Sequence, residues 1–287
     1  MATSNIRSRW VMANGVRTHY SESGGNGPVL VALHGGGAGS SGVAGMGAAM
    51  ERLADEFRVI SPDSVGGFGL TDPYAPTPYG LISRVHHLAD FCDALCLDKF
   101  TILGNSQGAW AAAHYAMLYT QRIEKMILIS SLTIGQSMGL SQAPNAAMKA
   151  LGGYDGTREA MIRMLEALII DKSRITDALI NERQAAATRP GALEAFQNLG
   201  KAIQASRTDP LMALRTDMRQ SLPLLTKQLR TIFLWGEADP FAIPATGKGV
   251  EALLPDVKFH WVPGAGHQVQ TDKPDESVKI IRDFMRS

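Results

Sequence analysis

Cysteine is nearly absent. Only Cys92 and Cys96 occur in 287 residues, which excludes a disulfide scaffold, and their spacing fits one face of a helix better than a metal site. Charge of one sign is also missing. The 28 Lys and Arg against 27 Asp and Glu leave a formal net charge of +1, so there is no basic footprint for nucleic acid or an anionic membrane surface. No apolar run approaches the ~20 residues of a bilayer span. The first fifteen residues hold Arg7 and Arg9 but no apolar stretch, so no secretory signal is legible and the cytoplasm is expected. No Cys/His/carboxylate cluster calls for a metal, and no cofactor is expected. Disorder is excluded as well, since 45% of residues are apolar and a sizeable core can be buried.

Glycine is what the sequence has in excess. Its 29 residues are about 10% of the chain, against roughly 7% on average, and they cluster after short apolar runs. Val29 to Leu33 is followed by His34-Gly35-Gly36-Gly37. Phe57 to Ser61 is followed by Asp63, Gly66, Gly67 and Gly69, and Lys99 to Gly104 by Asn105-Ser106-Gln107-Gly108. Lys125 to Ser130, Thr231 to Trp235 and Lys258 to Val262 complete the series. Runs of this length and composition read as strands buried on both faces of a parallel sheet. Trp10 to Ser21 reads as a hairpin about Asn14-Gly15.

Helical patterns alternate with these strands at Ser83 to Leu95, Ala109 to Tyr119 and Asp275 to Met285. The fold class is therefore α/β, a mainly parallel sheet flanked by helices. The alternation stops between Ser137 and Arg207, where only helical spacing appears (Thr157 to Ile170, Ile175 to Ala187, Gly191 to Ala205). At ~150 residues per domain the length allows two domains or one with an insertion. The pattern favours one core, residues 1–136 and 208–287, with a helical lid over 137–207.

Gly104-Asn105-Ser106-Gln107-Gly108 fits G-x-S-x-G, placed after a buried strand and before an Ala-rich helix, as a nucleophile elbow requires. Ser106 would be the nucleophile, and the Gln107 N–H would face a developing oxyanion. A serine hydroxyl needs a base. Of seven histidines, His267 follows a Pro-Gly-Ala-Gly loop after the last strand, whereas His19, His86, His87, His114 and His260 read as structural or surface residues. Asp239, in the loop after Thr231 to Trp235, would orient that base, with Glu237 as its rival. Ser106, Asp239 and His267 then stand in the chain order of α/β-hydrolases. The His34-Gly35-Gly36-Gly37 loop matches the HGGG oxyanion loop, the N–H coming from Gly36 or from Gly35. The Asp63 loop with its glycines reads as a structural turn.

With these motifs together the chain resembles the α/β-hydrolase superfamily, and within it the meta-cleavage product hydrolases of aromatic catabolism. The carriers are HGGGAGS at His34 to Ser40, GNSQG at Gly104 to Gly108 and WGEADPF at Trp235 to Phe241. In the insertion they are YDGTREAM at Tyr154 to Met161 and ITDALINER at Ile175 to Arg183. The resemblance implies hydrolysis of a C–C bond in a ring-opened 2-hydroxy-6-oxo-dienoate, giving a carboxylic acid and a 2-hydroxypentadienoate. It implies a small aromatic-derived substrate, homo-oligomeric assembly (dimer or larger), Arg183 against the substrate carboxylate, and Asn105 as a polar substrate contact. A guanidinium suits that carboxylate role because it binds in a bidentate fork. Three positions depart from the pattern. Gln268 stands where the family has a pocket Trp, Gly45 falls on or near a pocket Asn, and Gln107 replaces the more usual Met.

Two other functions are open on these residues. An esterase, lactonase or amidase acting on an aromatic-pathway compound is compatible with the altered pocket at Gln268 and Gly45. A cofactor-independent oxygenase or a non-catalytic ligand binder is compatible with the fold alone.

Overall fold

Strand formation follows the short branched and aromatic runs. The computed structural model describes residues 5–287; residues 1–4 of the expected 1–136 core segment lie outside the described residues. The strands are β1 Arg7–Ala13, β2 Val16–Ser23, β3 Val29–Leu33, β4 Arg58–Pro62, β5 Phe100–Asn105, β6 Ile123–Ile129, β7 Thr231–Gly236 and β8 Lys258–Val262. They form one sheet in the order β1-β2-β4-β3-β5-β6-β7-β8. The β1·β2 and β2·β4 pairs are antiparallel, and every other pair is parallel. The hairpin turn uses positive φ at Asn14 (45°) and Gly15 (84°), as its tight right-twisted geometry requires. Strand ends differ from the sequence reading where apolarity stops being informative. The hairpin starts at Arg7 because β1 is an outer strand whose first four residues are exposed, and β6 starts at Ile123 because the exposed Glu124 and half-buried Lys125 interrupt the apolar run at its beginning.

The helices are α1 Gly42–Leu53, α2 Leu81–Ala94, α3 Gln107–Leu118, α4 Leu132–Ser137, α5 Ala146–Gly152, α6 Arg158–Glu166 and α7 Asp177–Thr188. They continue with α8 Ala192–Ser206, α9 Pro210–Thr216, α10 Ser221–Gln228, α11 Pro244–Leu253, α12 Val269–Asp272 and α13 Pro274–Arg286. Alternate residues of each inner strand enter opposite cores. Val31 and Leu33 pack with α2 and α3, whereas Leu30 and Ala32 pack with α1 and α13. The insertion has its own cluster, in which Met161, Met164, Leu165 and Leu168 meet Ile180 and Ala187. Its strand-free stretch is longer than 137–207, since helices run from α4 through α10 before β7 begins. Leu222 and Leu225 of α10 join the main core, so that extra length belongs under the sheet. No helix among the described residues is long and apolar enough to cross a membrane.

The Asp63 loop is a structural turn. Asp63 is fully buried. Its Oδ1 accepts from the Gly42 N–H at 2.7 Å. Its Oδ2 accepts from the Leu70 N–H at 2.8 Å and from His19 Nδ1 at 2.7 Å. Three segments are thus held by one carboxylate. Asp63→Ala leaves one buried amide, one half-buried amide and a buried imidazole without an acceptor, and should lower the unfolding free energy in urea by about 3 kcal/mol, with an unchanged m-value. A loss below about 1 kcal/mol would contradict this reading of the loop.

Candidate active site

The sheet order puts β3 beside β5 while β4 and β6 depart to opposite sides. In an open parallel sheet a crevice forms at the carboxyl ends of such strands. The loops after β3, β5, β7 and β8 carry His34–Gly37, Ser106, Asp239 and His267 to that edge.

Ser106 sits between β5 and α3 with φ 58° and ψ −120°, a conformation an L-residue with a Cβ rarely adopts. The turn closes only because two flanking residues have no side chain. A Cβ on Gly104 would lie 2.2 Å from the Gly108 carbonyl oxygen, and one on Gly108 would lie 2.3 Å from that of Leu33. The Ser106 N–H donates to Ile129 and Ser130 carbonyls at 2.9 and 3.1 Å, and Ser131 Oγ donates to the Ser106 carbonyl at 2.8 Å. Gln107 opens α3, where a first-turn amide has no intrahelical acceptor and faces outward with the positive end of the helix dipole.

His267 is buried, and its Nδ1 donates to Asp239 Oδ2 at 2.8 Å. The other Asp239 oxygen accepts from the Phe241 and Ala242 amides at 2.8 and 2.9 Å, so the carboxylate cannot rotate away. The rival Glu237 is exposed. With Nδ1 protonated toward Asp239, His267 Nε2 carries a lone pair. That atom is buried with no hydrogen-bond partner among the described residues. Ser106 and His267 line one cavity of about 590 Å³. A hydroxyl on a helix start and an imidazole with a free basic nitrogen, oriented from behind by a carboxylate, can together deliver and recover a proton during nucleophilic attack.

The loop after β3 is held by its own histidine. The Ser64 N–H donates to His34 Nε2 at 3.1 Å, so His34 Nδ1 bears the proton and donates to the Gly35 carbonyl at 2.7 Å. Burial pushes the His34 pKa down to about 3, which keeps the ring neutral. The Gly35 carbonyl and the Gly36 N–H belong to one trans peptide plane and point in opposite directions. Pinning the carbonyl therefore aims the Gly36 N–H away from His34. Gly35 and Gly36 both line the cavity, and a Cβ on Gly35 would stand 3.4 Å from Ser106 Cβ.

Of the other expected contacts, Asn105 and Gln268 line the cavity. Both Asn105 amide donors are already engaged, by the His267 carbonyl at 2.9 Å and the Ile129 carbonyl at 3.3 Å. It therefore fixes the histidine loop and can offer only its oxygen to a ligand. Gln268 Oε1 accepts from Thr271 Oγ1 at 3.1 Å. Gly45 lies on α1, where a Cβ would meet His34 Cβ at 3.0 Å, outside the cavity lining. Arg183, on α7, is fully buried one layer behind the cavity wall. Its Nη2 donates to the Ala38 carbonyl at 3.0 Å and to Ser40 Oγ at 2.8 Å, while Nε and Nη1 have no partner among the described residues.

Two residues near the site escaped the sequence reading. Asp272 accepts from the Gly266 N–H at 2.7 Å and from the Asp171 N–H at 2.9 Å, tying the histidine loop to the insertion. Arg84 is buried on α2 with its guanidinium against the His34 loop. Arg84 occupies the same i, i+4 stripe as Leu88 and Cys92, and a charge on that apolar face was a readable signal.

His34 and His87, the latter lowered to about 4 by burial, make stability depend on pH. Their unfolded pKa values lie near 6.5. Between that pH and about 4 the unfolded chain binds protons that the folded chain refuses, so stability falls as pH falls, by up to ~1.4 kcal/mol per pH unit for each ring. Burial raises the Asp272 carboxyl, an opposing effect, since its protonation in the fold relieves a penalty. Urea midpoints measured from pH 7 to 4.5 should decrease steadily, and His87→Gln should flatten the slope. An equal slope in that variant would refute the assignment.

Residues 28–274 match the family described as the alpha/beta hydrolase fold. The chain is 30% identical over 277 residues to a 2-hydroxy-6-oxo-2,4-heptadienoate hydrolase of Pseudomonas putida, covering 96% of this chain and 95% of that one. It is 29% identical over 273 residues to a 2-hydroxy-6-oxo-6-phenylhexa-2,4-dienoate hydrolase of Burkholderia cepacia, covering 94% and 91%. Among solved structures, a meta-cleavage product hydrolase from Pseudomonas fluorescens IP01 superposes with a TM-score of 0.80 at 27% identity, covering 97% of both chains. Elbow, sheet order and full-length similarity agree, and the chain belongs to the alpha/beta hydrolase fold family, in its meta-cleavage product hydrolase branch.

Proposed function

We propose that this protein hydrolyses a C–C bond in a ring-opened aromatic compound of the 2-hydroxy-6-oxo-dienoate type, releasing a carboxylic acid and a 2-hydroxypentadienoate. The observation that carries the reading is His267. Its Nδ1 is held by Asp239 at 2.8 Å, and its free Nε2 belongs to the residue that shares a cavity with Ser106. The names of the relatives supply the substrate class.

In this mechanism the dienol first takes a proton at carbon and becomes a ketone, which gives the breaking bond an electron sink. Ser106 Oγ attacks the distal carbonyl as His267 takes its proton. The Gly36 and Gln107 amides stabilise the oxyanion, with Gly35 beside them in the wall. The C–C bond then breaks, its electron pair passing through the conjugated system to the 2-oxo oxygen, and that enolate oxygen takes the proton from His267 to give the 2-hydroxypentadienoate. Water, activated by His267, hydrolyses the acyl-Ser106 ester, and the net addition is one water. Asp239 orients the ring and offsets its positive charge. Arg183 recognises the substrate carboxylate across the Gly37–Ser40 loop, and Asn105 and Gln268 shape the wall. Residues 137–207 act as the lid over a core of 1–136 and 208–287.

A second reading, hydrolysis of an ester by the same residues, is favoured by one observation: Gln268 places a polar amide in the wall where the resembled family keeps an indole. Bleaching of a chromophoric dienoate by the pure protein separates the two, and turnover of simple esters with no bleaching would sink the C–C reading. Ser106→Ala should reduce either activity by at least ~10³-fold. Arg183→Met should raise KM about 10-fold or more for carboxylate-bearing dienoates, and much less for neutral esters.

A further inference from the structure

Arg84 is the most unusual charge in the core. It is 3% exposed. Its three nitrogens each reach a different segment: Nη2 donates to the His34 carbonyl at 3.0 Å, Nη1 to Gln107 Oε1 at 3.0 Å, and Nε to Ser64 Oγ at 2.9 Å. The Phe68 ring lies against it, 4.9 Å away. All three acceptors are neutral, and burial alone pulls its pKa down to about 10. A buried cation without a carboxylate is costly to keep. Hydrophobic packing could fill α2 at lower cost, so the guanidinium needs a reason that packing does not supply.

Its two outer arms give one. The His34 carbonyl shares a peptide plane with the Gly35 N–H, so Nη2 sets the direction of that amide. Gln107 opens α3, and its side chain folds back onto the β3 loop so closely that a Cβ on Gly36 would lie 2.1 Å from Oε1. One rigid, planar fork therefore joins the loop after β3 to the start of α3. These are the two segments that supply the proposed oxyanion amides. The charge also sits behind those amides, with the sign that favours a developing oxyanion.

We propose that Arg84 is a positioning residue for the acyl step. It holds the β3 loop and the first residue of α3 at the spacing an oxyanion needs, and it adds positive potential from behind. This inference rests on the proposed Ser106 chemistry. Its test compares Arg84→Met, Arg84→Lys and Gln107→Met in steady-state turnover and in binding of phenylboronic acid, whose tetrahedral serine adduct places an oxygen where the oxyanion forms. Thermal unfolding is measured alongside. Arg84→Met should lower kcat about 30- to 100-fold, with KM within about 3-fold, and weaken phenylboronic acid by a similar factor. Arg84→Lys, which keeps the charge and loses the fork, should recover only part. Folded Arg84→Met with kcat and boronate affinity within about 3-fold of the parent overturns the proposal, as does full recovery by Lys. If Arg84→Met does not fold, Gln107→Met decides. It removes one arm, and kcat and boronate affinity should fall together by about 3- to 10-fold; neither moving overturns the proposal. Ser106→Ala assayed in parallel separates the two claims. Activity surviving there overturns the serine mechanism and this inference with it, while activity lost there but unmoved by Arg84→Met overturns this inference alone.

Discussion

The turn at Ser106 is the constraint on which the site depends. A non-glycine residue at φ 58° and ψ −120° costs of the order of 1–3 kcal/mol and persists only where its surroundings over-determine it. Here they do. The β6 end accepts the Ser106 amide through two carbonyls, and Ser131 holds its carbonyl. Ser130 itself takes φ 34° and donates its N–H to Leu234 in β7. The strain at the serine is thus braced through β6 to the strand that leads to Asp239. Gly104 and Gly108 let β5, α3 and the end of β3 approach within backbone contact. The serine hydroxyl, the α3 amides and the glycine loop can meet because no side chain separates those three segments.

The same economy joins the insertion to the core. The Gln268 N–H donates to the Leu168 carbonyl at 3.2 Å, and Asp272 bridges Gly266 and Asp171. On the other side Arg189 Nε donates to the Gly69 carbonyl at 2.7 Å, beside the turn that Asp63 organises. The inner part of the insertion is therefore fixed to the loop of His267 and to the loop after β4. α8 is different, since only Ala192 and Leu199 on it are buried. Gln204 and Arg207, at and just past its end, reach the cavity. The cavity is thus walled by backbone-tied loops on one side and by the end of a half-buried helix on the other.

The sequence disclosed the parts of this arrangement that depend on local spacing. Strands with apolar runs, the glycine elbow, the order of Ser106, Asp239 and His267, and the absence of strands in the insertion are properties of neighbouring residues. Contacts made across the fold were less legible. The resemblance implied Asn105 as a substrate contact; what it did not disclose is that the Asn105 amide nitrogen donates to the His267 backbone, 162 positions away. The resemblance set Gly45 on or near a pocket Asn, but the start of α1 turns it toward His34. Arg84 lies in a predicted helix but was not singled out there, because its partners His34, Ser64 and Gln107 come from three separate segments that no periodicity connects.

With a net charge of +1, the molecule has no global field to gather an anionic substrate. Charge recognition must be local, and two buried arginines flank the same glycine loop. They differ in how their donors are used. Arg84 has every nitrogen engaged by the protein, so it can act on a reacting group only by holding backbone and by its field. Arg183 keeps Nε and Nη1 without partners among the described residues while Nη2 grips the loop through Ala38 and Ser40. An unpaired buried donor is a standing penalty in the fold. A guanidinium saturated by its own fold is spent on the backbone and side chains it holds, whereas one left partly unsaturated keeps donors that its own fold does not use. The loop between them is mostly glycine, and a Cβ on Gly37 would stand 2.8 Å from Arg183 Nη2 and one on Gly36 2.1 Å from the Gln107 Oε1 that Arg84 holds.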